Sequence, residues 1–247
     1  MAIKKAKVIT VTSVKGGTGK STTVLNLAGV LSLQKKKTLI LDLNLFSGAI
    51  APSLNVDITT DLYRLINDTS INKYDNIENY VCNYNEFIDI IPAPKDPRLA
   101  NRIKNKYLSL VIKKASTRYD YILIDTTHSL DSINLLALDN SDLILYLITN
   151  NLVDLKSMRT MVSIYKDMDK TNYRIIMNNS VDRNHSCFTN YDIKIILGRY
   201  IDYTIPENFY MTNIDRFVIE GKILSLVYPK RYMVFENIIS DFMKEEK

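Results

Sequence analysis

The chain has little of what builds covalently or metal-stapled folds. Its two cysteines, Cys82 and Cys187, are too few and too far apart in 247 residues for a disulfide framework or a zinc cage. The longest apolar runs, such as Leu143 to Ile148, stop far short of the roughly 18 residues that a membrane-spanning helix needs. No secretory leader is expected either, since the apolar stretch from Val8 to Val14 is short and runs into Lys15-Gly16-Gly17. No internal repeat, low-complexity tract or Pro/Gly/Ser linker interrupts the sequence. These absences predict a cytoplasmic protein of one domain spanning residues 1–247.

A composition 46% hydrophobic and 9% aromatic supplies a core and excludes disorder as the main state. The net charge of +5 is unevenly placed. Residues 1–41 hold eight lysines and no acid, leaving the remainder at −3. A second basic stretch comprises Lys95, Arg98, Arg102, Lys104, Lys106, Lys113, Lys114 and Arg118 against Asp96 alone. It reads as a solvated helix face; the alternative is a surface that steers an anionic partner, whether DNA, lipid or protein.

Short apolar runs of strand length alternate with helical patterns along the chain. The expected strands are Lys7–Ser13, Thr38–Leu43, Phe87–Ile91, Tyr121–Ile124, Leu143–Thr149, Tyr173–Met177 and a short one over Tyr200–Ile205. Helices are expected over Ser21–Leu33, Pro97–Ser116, Asp131–Asp139 and Leu152–Asp167. Several strands are apolar at nearly every position, as in sheets covered on both faces. The alternation therefore predicts an α/β fold with one doubly wound, mostly parallel sheet flanked by helices. Ligands of such sheets bind beyond the carboxyl ends of the strands.

The first strand runs into Val14-Lys15-Gly16-Gly17-Thr18-Gly19-Lys20-Ser21-Thr22. Three glycines let backbone N–H groups turn inward on phosphate oxygens, and the following helix presents the positive end of its dipole to the same anion. In a phosphate loop of this kind Lys20 reaches the β- and γ-phosphates and the Ser21 hydroxyl binds Mg²⁺. The strict pattern has glycine where this chain has Val14, and the chain adds a second lysine, Lys15. The fourth expected strand ends Tyr121-Ile122-Leu123-Ile124-Asp125, an apolar strand closing on a carboxylate that holds a Mg²⁺-bound water.

The Lys-Gly-Gly-x-Gly-Lys-Ser-Thr loop resembles that of the deviant-Walker P-loop ATPases typified by MinD and ParA. The resemblance implies ATP and Mg²⁺ as cofactors and a homodimer that sandwiches ATP. It assigns the phosphates to Gly16, Gly17, Thr18, Gly19, Lys20, Ser21 and Thr22, and sends Lys15 across the dimer to the partner's nucleotide. Family members carry Asp-x-Asp at the end of the second strand. Asp42 matches the first, near the Mg²⁺ water shell, while Asn44 stands where the second orients the attacking water. An amide holds water but accepts no proton, which predicts slow hydrolysis, by roughly 10²- to 10⁴-fold if the group acts as general bases do. Asn178 matches an asparagine on the adenine edge, and Pro206 and Glu207 match a segment packed beside the adenine. Thr127 and His128 depart from the family's Asp-Thr-Pro-Pro; His128 reads as a polar switch-loop residue, and the alternative is a residue that senses or contacts the γ-phosphate.

Asp42 to Gly48, Ile91-Pro92-Ala93-Pro94 and Ile219-Glu220-Gly221-Lys222 look like the TadZ/CpaE pilus-assembly branch. That resemblance implies a switch organising a pilus or secretion machine, recruited to membrane or cell pole by a protein partner. Two other readings stay open: a ParA-like partition ATPase binding DNA without sequence preference, and a hydrolysis-deficient ATP-bound scaffold. The tail from Phe235 to Lys247 carries Glu236, Asp241, Glu245 and Glu246 beside its apolar face, and so reads as a packed helix rather than a lipid anchor.

Overall fold

The computed structural model describes residues 5–181, 188–210 and 214–245. Cys187 lies outside them. Eight strands form one sheet: β1 (Lys7–Ser13), β2 (Thr38–Asp42), β3 (Cys82–Asn83), β4 (Ile88–Ile91), β5 (Tyr121–Asp125), β6 (Leu143–Ile148), β7 (Tyr173–Asn178) and β8 (Tyr203–Ile205), in the order β3-β4-β2-β5-β1-β6-β7-β8. All pairs are parallel except β3 with β4. The expected fold class holds, and the strand ending in Asp125 becomes the fifth, because the two-residue β3 is too short to leave a periodic signal.

The helices are α1 (Lys20–Leu33), α2 (Ile50–Ser53), α3 (Leu62–Ser70), α4 (Leu108–Ala115), α5 (Ser132–Asp139), α6 (Leu152–Asp167), α7 (Asn190–Leu197), α8 (Ile214–Ile219), α9 (Leu224–Val227) and α10 (Met233–Glu245). They cover both faces of the sheet. Ile9, Val11, Ile40, Leu123 and Leu145 point to one side and pack with α1, α9 and α10. Val8, Leu39, Leu41, Ile122 and Ile124 point to the other, against α3, α4 and α5. Farther along the same side, Ile144, Tyr146, Ile148 and Ile175 meet α6 and α7. The strands are buried on both faces, and this is why they read as continuous apolar runs. Among the described residues no helix is long and apolar enough to cross a membrane.

One expected element changes form. The helix expected over Pro97–Ser116 is two 3-10 turns, Pro97–Arg102 and Asn105–Tyr107, followed by α4. Ile103 and Lys104 are extended between them, so the basic residues share no continuous helical face. The acidic tail folds back as α10, with Phe235, Ile238, Ile239 and Phe242 buried.

α1 is wrapped on nearly every side and meets α9 without a gap. Asn26 accepts the Ser225 backbone N–H at 2.9 Å, and the Ser225 hydroxyl donates to the Asn26 carbonyl at 2.8 Å. A methyl group on Gly29 would lie 2.1 Å from Ser225 Oγ and 2.7 Å from Ile223 Cγ2. Gly29→Ala is therefore expected to destabilise the protein by about 1–3 kcal/mol, overpacking outweighing alanine's better helix propensity. Ser225→Ala in the same chain should return part of the loss; urea midpoints measure both, and a midpoint raised by Gly29→Ala would contradict the contact.

Candidate nucleotide site

β1 lies at the middle of the sheet, with β5 on one side and β6 on the other, where the strand order reverses. Residues 14–19 leave its carboxyl end and feed α1. Gly17 (φ +76°) and Gly19 (φ +93°) adopt the left-handed conformation that turns the loop, and Gly19 closes the first turn of α1. A side chain at Gly19 would also strike Asn178 Nδ2, 2.6 Å from the position of its Cβ. Around the loop opens a cavity of about 570 Å³, of the size that holds small-molecule ligands. Its wall comprises Gly16, Gly17, Thr18, Gly19, Lys20, Ser21 and Thr22 with Asn44, Ser47, Thr126, Thr127, His128 and Val181.

Asp125 ends β5 directly opposite Asp42 at the end of β2, and both carboxyls are fully buried on the face toward α1. The Ser21 hydroxyl donates to one Asp125 oxygen at 2.6 Å; the other oxygen has no hydrogen-bond partner. A hydroxyl beside a buried carboxylate with a spare oxygen suits Mg²⁺, which keeps most of its water shell and takes one or two protein oxygens plus phosphate. Lys20 Nζ donates to Ser13 Oγ at 2.8 Å, and that hydroxyl donates to the Lys15 carbonyl, so the lysine amine is fixed under the loop.

Burial pushes the Asp125 carboxyl up to about 8, with the neighbouring Asp42 charge adding to the rise and Ser21 and Lys20 opposing it. Burial likewise raises Asp42 to about 6 against hydrogen bonds from backbone N–H groups. The Lys20 ammonium is lowered by burial, opposed by the charge of Asp125.

Asp42 is occupied differently from the family expectation. One oxygen accepts the Asn44 N–H at 2.9 Å and the other the Ile50 N–H at 3.1 Å, so the carboxyl braces the 43–49 loop from below. Asn44 reaches the cavity wall half-buried. Lys15 is half-exposed at the head of the loop, its amine 3.9 Å from the buried Asp154 on α6.

The structure brings Asn178 to the loop but spends its amide there. Nδ2 donates to the Thr18 carbonyl at 2.9 Å, while Oδ1 accepts from the backbone and hydroxyl of Ser180. This clamp ties β7 to the phosphate loop. Pro206 and Glu207 are exposed after β8 and lie outside the cavity wall. Ser47, Thr126 and Val181 line it without having been singled out in the sequence. Their positions just past the ends of β2, β5 and β7 were the available signal.

A family profile described as an AAA domain matches residues 6–181. This chain belongs to the AAA domain family. Its relatives include the chromosome partitioning protein ParA of Myxococcus xanthus, 29% identical over 149 residues, 56% of this chain and 50% of that one. The chain is 29% identical over 145 residues to the sporulation initiation inhibitor protein Soj of Bacillus subtilis, 55% of each chain being covered. The chain spans about half the length of the curated relatives it matches. The fold is that of a ParA family ATPase from Chlorobium tepidum TLS, with a TM-score of 0.81 at 24% identity over 97% of this chain and 99% of that one. It is also that of the septum site-determining protein MinD of Pyrococcus horikoshii OT3, solved with Mg-ADP: TM-score 0.76, 22% identity, 93% of each chain.

Both buried carboxyls of this AAA domain hold protons in the folded state that the unfolded chain releases. Their contribution to stability is present near pH 4, the unfolded value, and is lost as pH rises through about 6 for Asp42 and about 8 for Asp125. Asp125→Asn is thus expected to raise the melting temperature of the nucleotide-free protein at pH 8, by about 2–4 °C per kcal/mol relieved at this length. The gain should fade by pH 5, and a gain equal at both pH values would show that charge burial is not its cause.

Proposed function

We propose that this chain is an ATP-binding switch, which dimerises when ATP·Mg²⁺ is bound and is reset by slow hydrolysis to ADP and phosphate. The carrying observation is the Ser21 hydroxyl bonded to the buried Asp125 at the lip of a loop of left-handed glycines. Mg²⁺ supplies charge neutralisation on the phosphates when bound. The amides of Gly16 to Thr22 cradle phosphate and Lys20 meets its charge, while Ser21 and Asp125 hold the metal through hydroxyl and water. Asn44 holds the attacking water through its amide, and Asp42 acts through the loop it braces. Asn178 serves the nucleotide indirectly, by fixing Thr18.

Lys15 is the residue that crosses to the second protomer. Its amine is half-exposed and 3.9 Å from Asp154, a long contact, and the buried Asp154 also accepts hydrogen bonds from the Thr149 backbone N–H and hydroxyl, so the lysine is not its sole partner. The reading extends to a cytoplasmic protein, one ATPase domain over residues 1–247, that positions or assembles a machine such as a pilus or secretion system through a protein partner. A hydrolysis-deficient scaffold is the second reading, favoured by the uncharged Asn44 on the wall and by the engaged carboxyl of Asp42. Partition of DNA is a third, supported by exposed cations such as Arg102, Lys106 and Lys113; DNA retention falling steeply with salt is its mark.

Phosphate release with ATP and Mg²⁺, with molecular size followed alongside, tests the switch. Turnover above a Lys20→Ala control and an ATP-dependent dimer are expected. Lys15→Ala should keep nucleotide binding and lose the dimer; equal dimerisation of variant and parent would sink the sandwich. Asn44→Asp should raise turnover, and an unchanged rate would remove Asn44 from the place beside the attacking water.

A further inference from the structure

Besides Lys20, one side chain among the described residues of the cavity wall can carry a positive charge: His128. Its Nδ1 lies 3.7 Å from where a Cβ on Gly16 would be, ordinary contact distance, which puts the imidazole beside the start of the loop. Neither ring nitrogen has a hydrogen-bond or ion-pair partner among the described residues. Both are free for a ligand.

The loop that carries this ring is pinned on both sides of it. Thr126 Oγ1 donates to the Val11 carbonyl at 2.8 Å. The buried Asn134 of α5 donates to Thr127 Oγ1 at 2.7 Å and to the Ser129 carbonyl at 3.0 Å. Ser129 in turn donates to Asp131, whose other oxygen caps α5 at the Asn134 N–H. The exposed imidazole is therefore held on a fixed base, although nothing holds the ring itself. Behind it lies a second cavity of about 280 Å³, bordered by Val14, Leu130, Tyr146 and Met161, so the ring has room to move on its base.

We propose that His128 is the side chain by which this protein distinguishes ATP from ADP: its imidazole donates a hydrogen bond to the terminal phosphate above Gly16. The proposal rests on the nucleotide reading given above. The helix end and the amides of Gly17 to Thr22 hold the first two phosphates of a nucleotide. A third phosphate extends toward Gly16, between the Ser21–Asp125 pair and the imidazole. Lys15, the other cation at this end, turns its amine to Asp154 in this arrangement. A diphosphate stops short of His128 and leaves the ring free.

Calorimetric titration with Mg-AMPPNP, a non-hydrolysable ATP analogue, and with Mg-ADP tests this. His128→Ala should weaken AMPPNP binding about 10- to 100-fold, the worth of a hydrogen bond to a charged group, and ADP binding less than twofold. His128→Gln, which keeps a donor near the same place, should recover part of the AMPPNP affinity. Equal losses for the two nucleotides would assign His128 to loop structure and overturn the proposal, as would an unchanged ratio. If the parent binds both nucleotides and only the ratio test fails, the nucleotide reading stands without His128. A parent that binds neither overturns both.

Discussion

Two carboxyls forced into the same water-free space set the terms for the rest of this structure. Parallel pairing of β2 with β5 puts Asp42 and Asp125 side by side at the strand ends, and α1 seals them from solvent. As anions, two adjacent buried carboxylates would be costly, and the protein offsets that cost unequally. Asp42 takes backbone N–H groups from its own loop, whereas Asp125 takes one hydroxyl and keeps an oxygen spare. The spare oxygen and the lowered Lys20 leave an electrostatic demand that a metal-bound polyphosphate can meet. Binding then supplies what folding omitted.

The same economy governs the polar residues around the cavity. Asn178 and Ser13 give their hydrogen bonds to the phosphate loop and its neighbours, and the Asn134 amide nitrogen gives its own to the turn that carries His128. They set the loop's shape and leave ligand contact to backbone amides and a few charged groups. Fixed donors of this kind suit phosphoryl transfer, where catalysis is mostly positioning and electrostatics.

Much of this was legible in the sequence, because the fold's signals are local. A strand buried on both faces has to be apolar throughout, and a loop needing positive φ twice has to hold glycines; β1, β5, β6 and the stretch from Gly16 to Ser21 meet both conditions. Less legible were the contacts that residues make with distant partners. An asparagine at a strand end looks the same whether it meets adenine or the Thr18 carbonyl, 160 positions away. An aspartate aligned with a metal shell looks the same when backbone N–H groups have already claimed it. Pro97 to Ser116 kept helical spacing, yet the extended Ile103 and Lys104 divide it.

The close seat of α1 on α9 bears on the order in which the protein can be made. Asn26 and Ser225 are 199 positions apart, and the buried residues of α10 that cover the same core come later still. The phosphate loop and its helix are synthesised well before α9 and α10, and the outer side of that helix stays uncovered until those helices are available. Long-range contacts of this kind slow folding and expose apolar surface meanwhile. The candidate site that α1 supports is therefore finished only after α9 and α10 have been made.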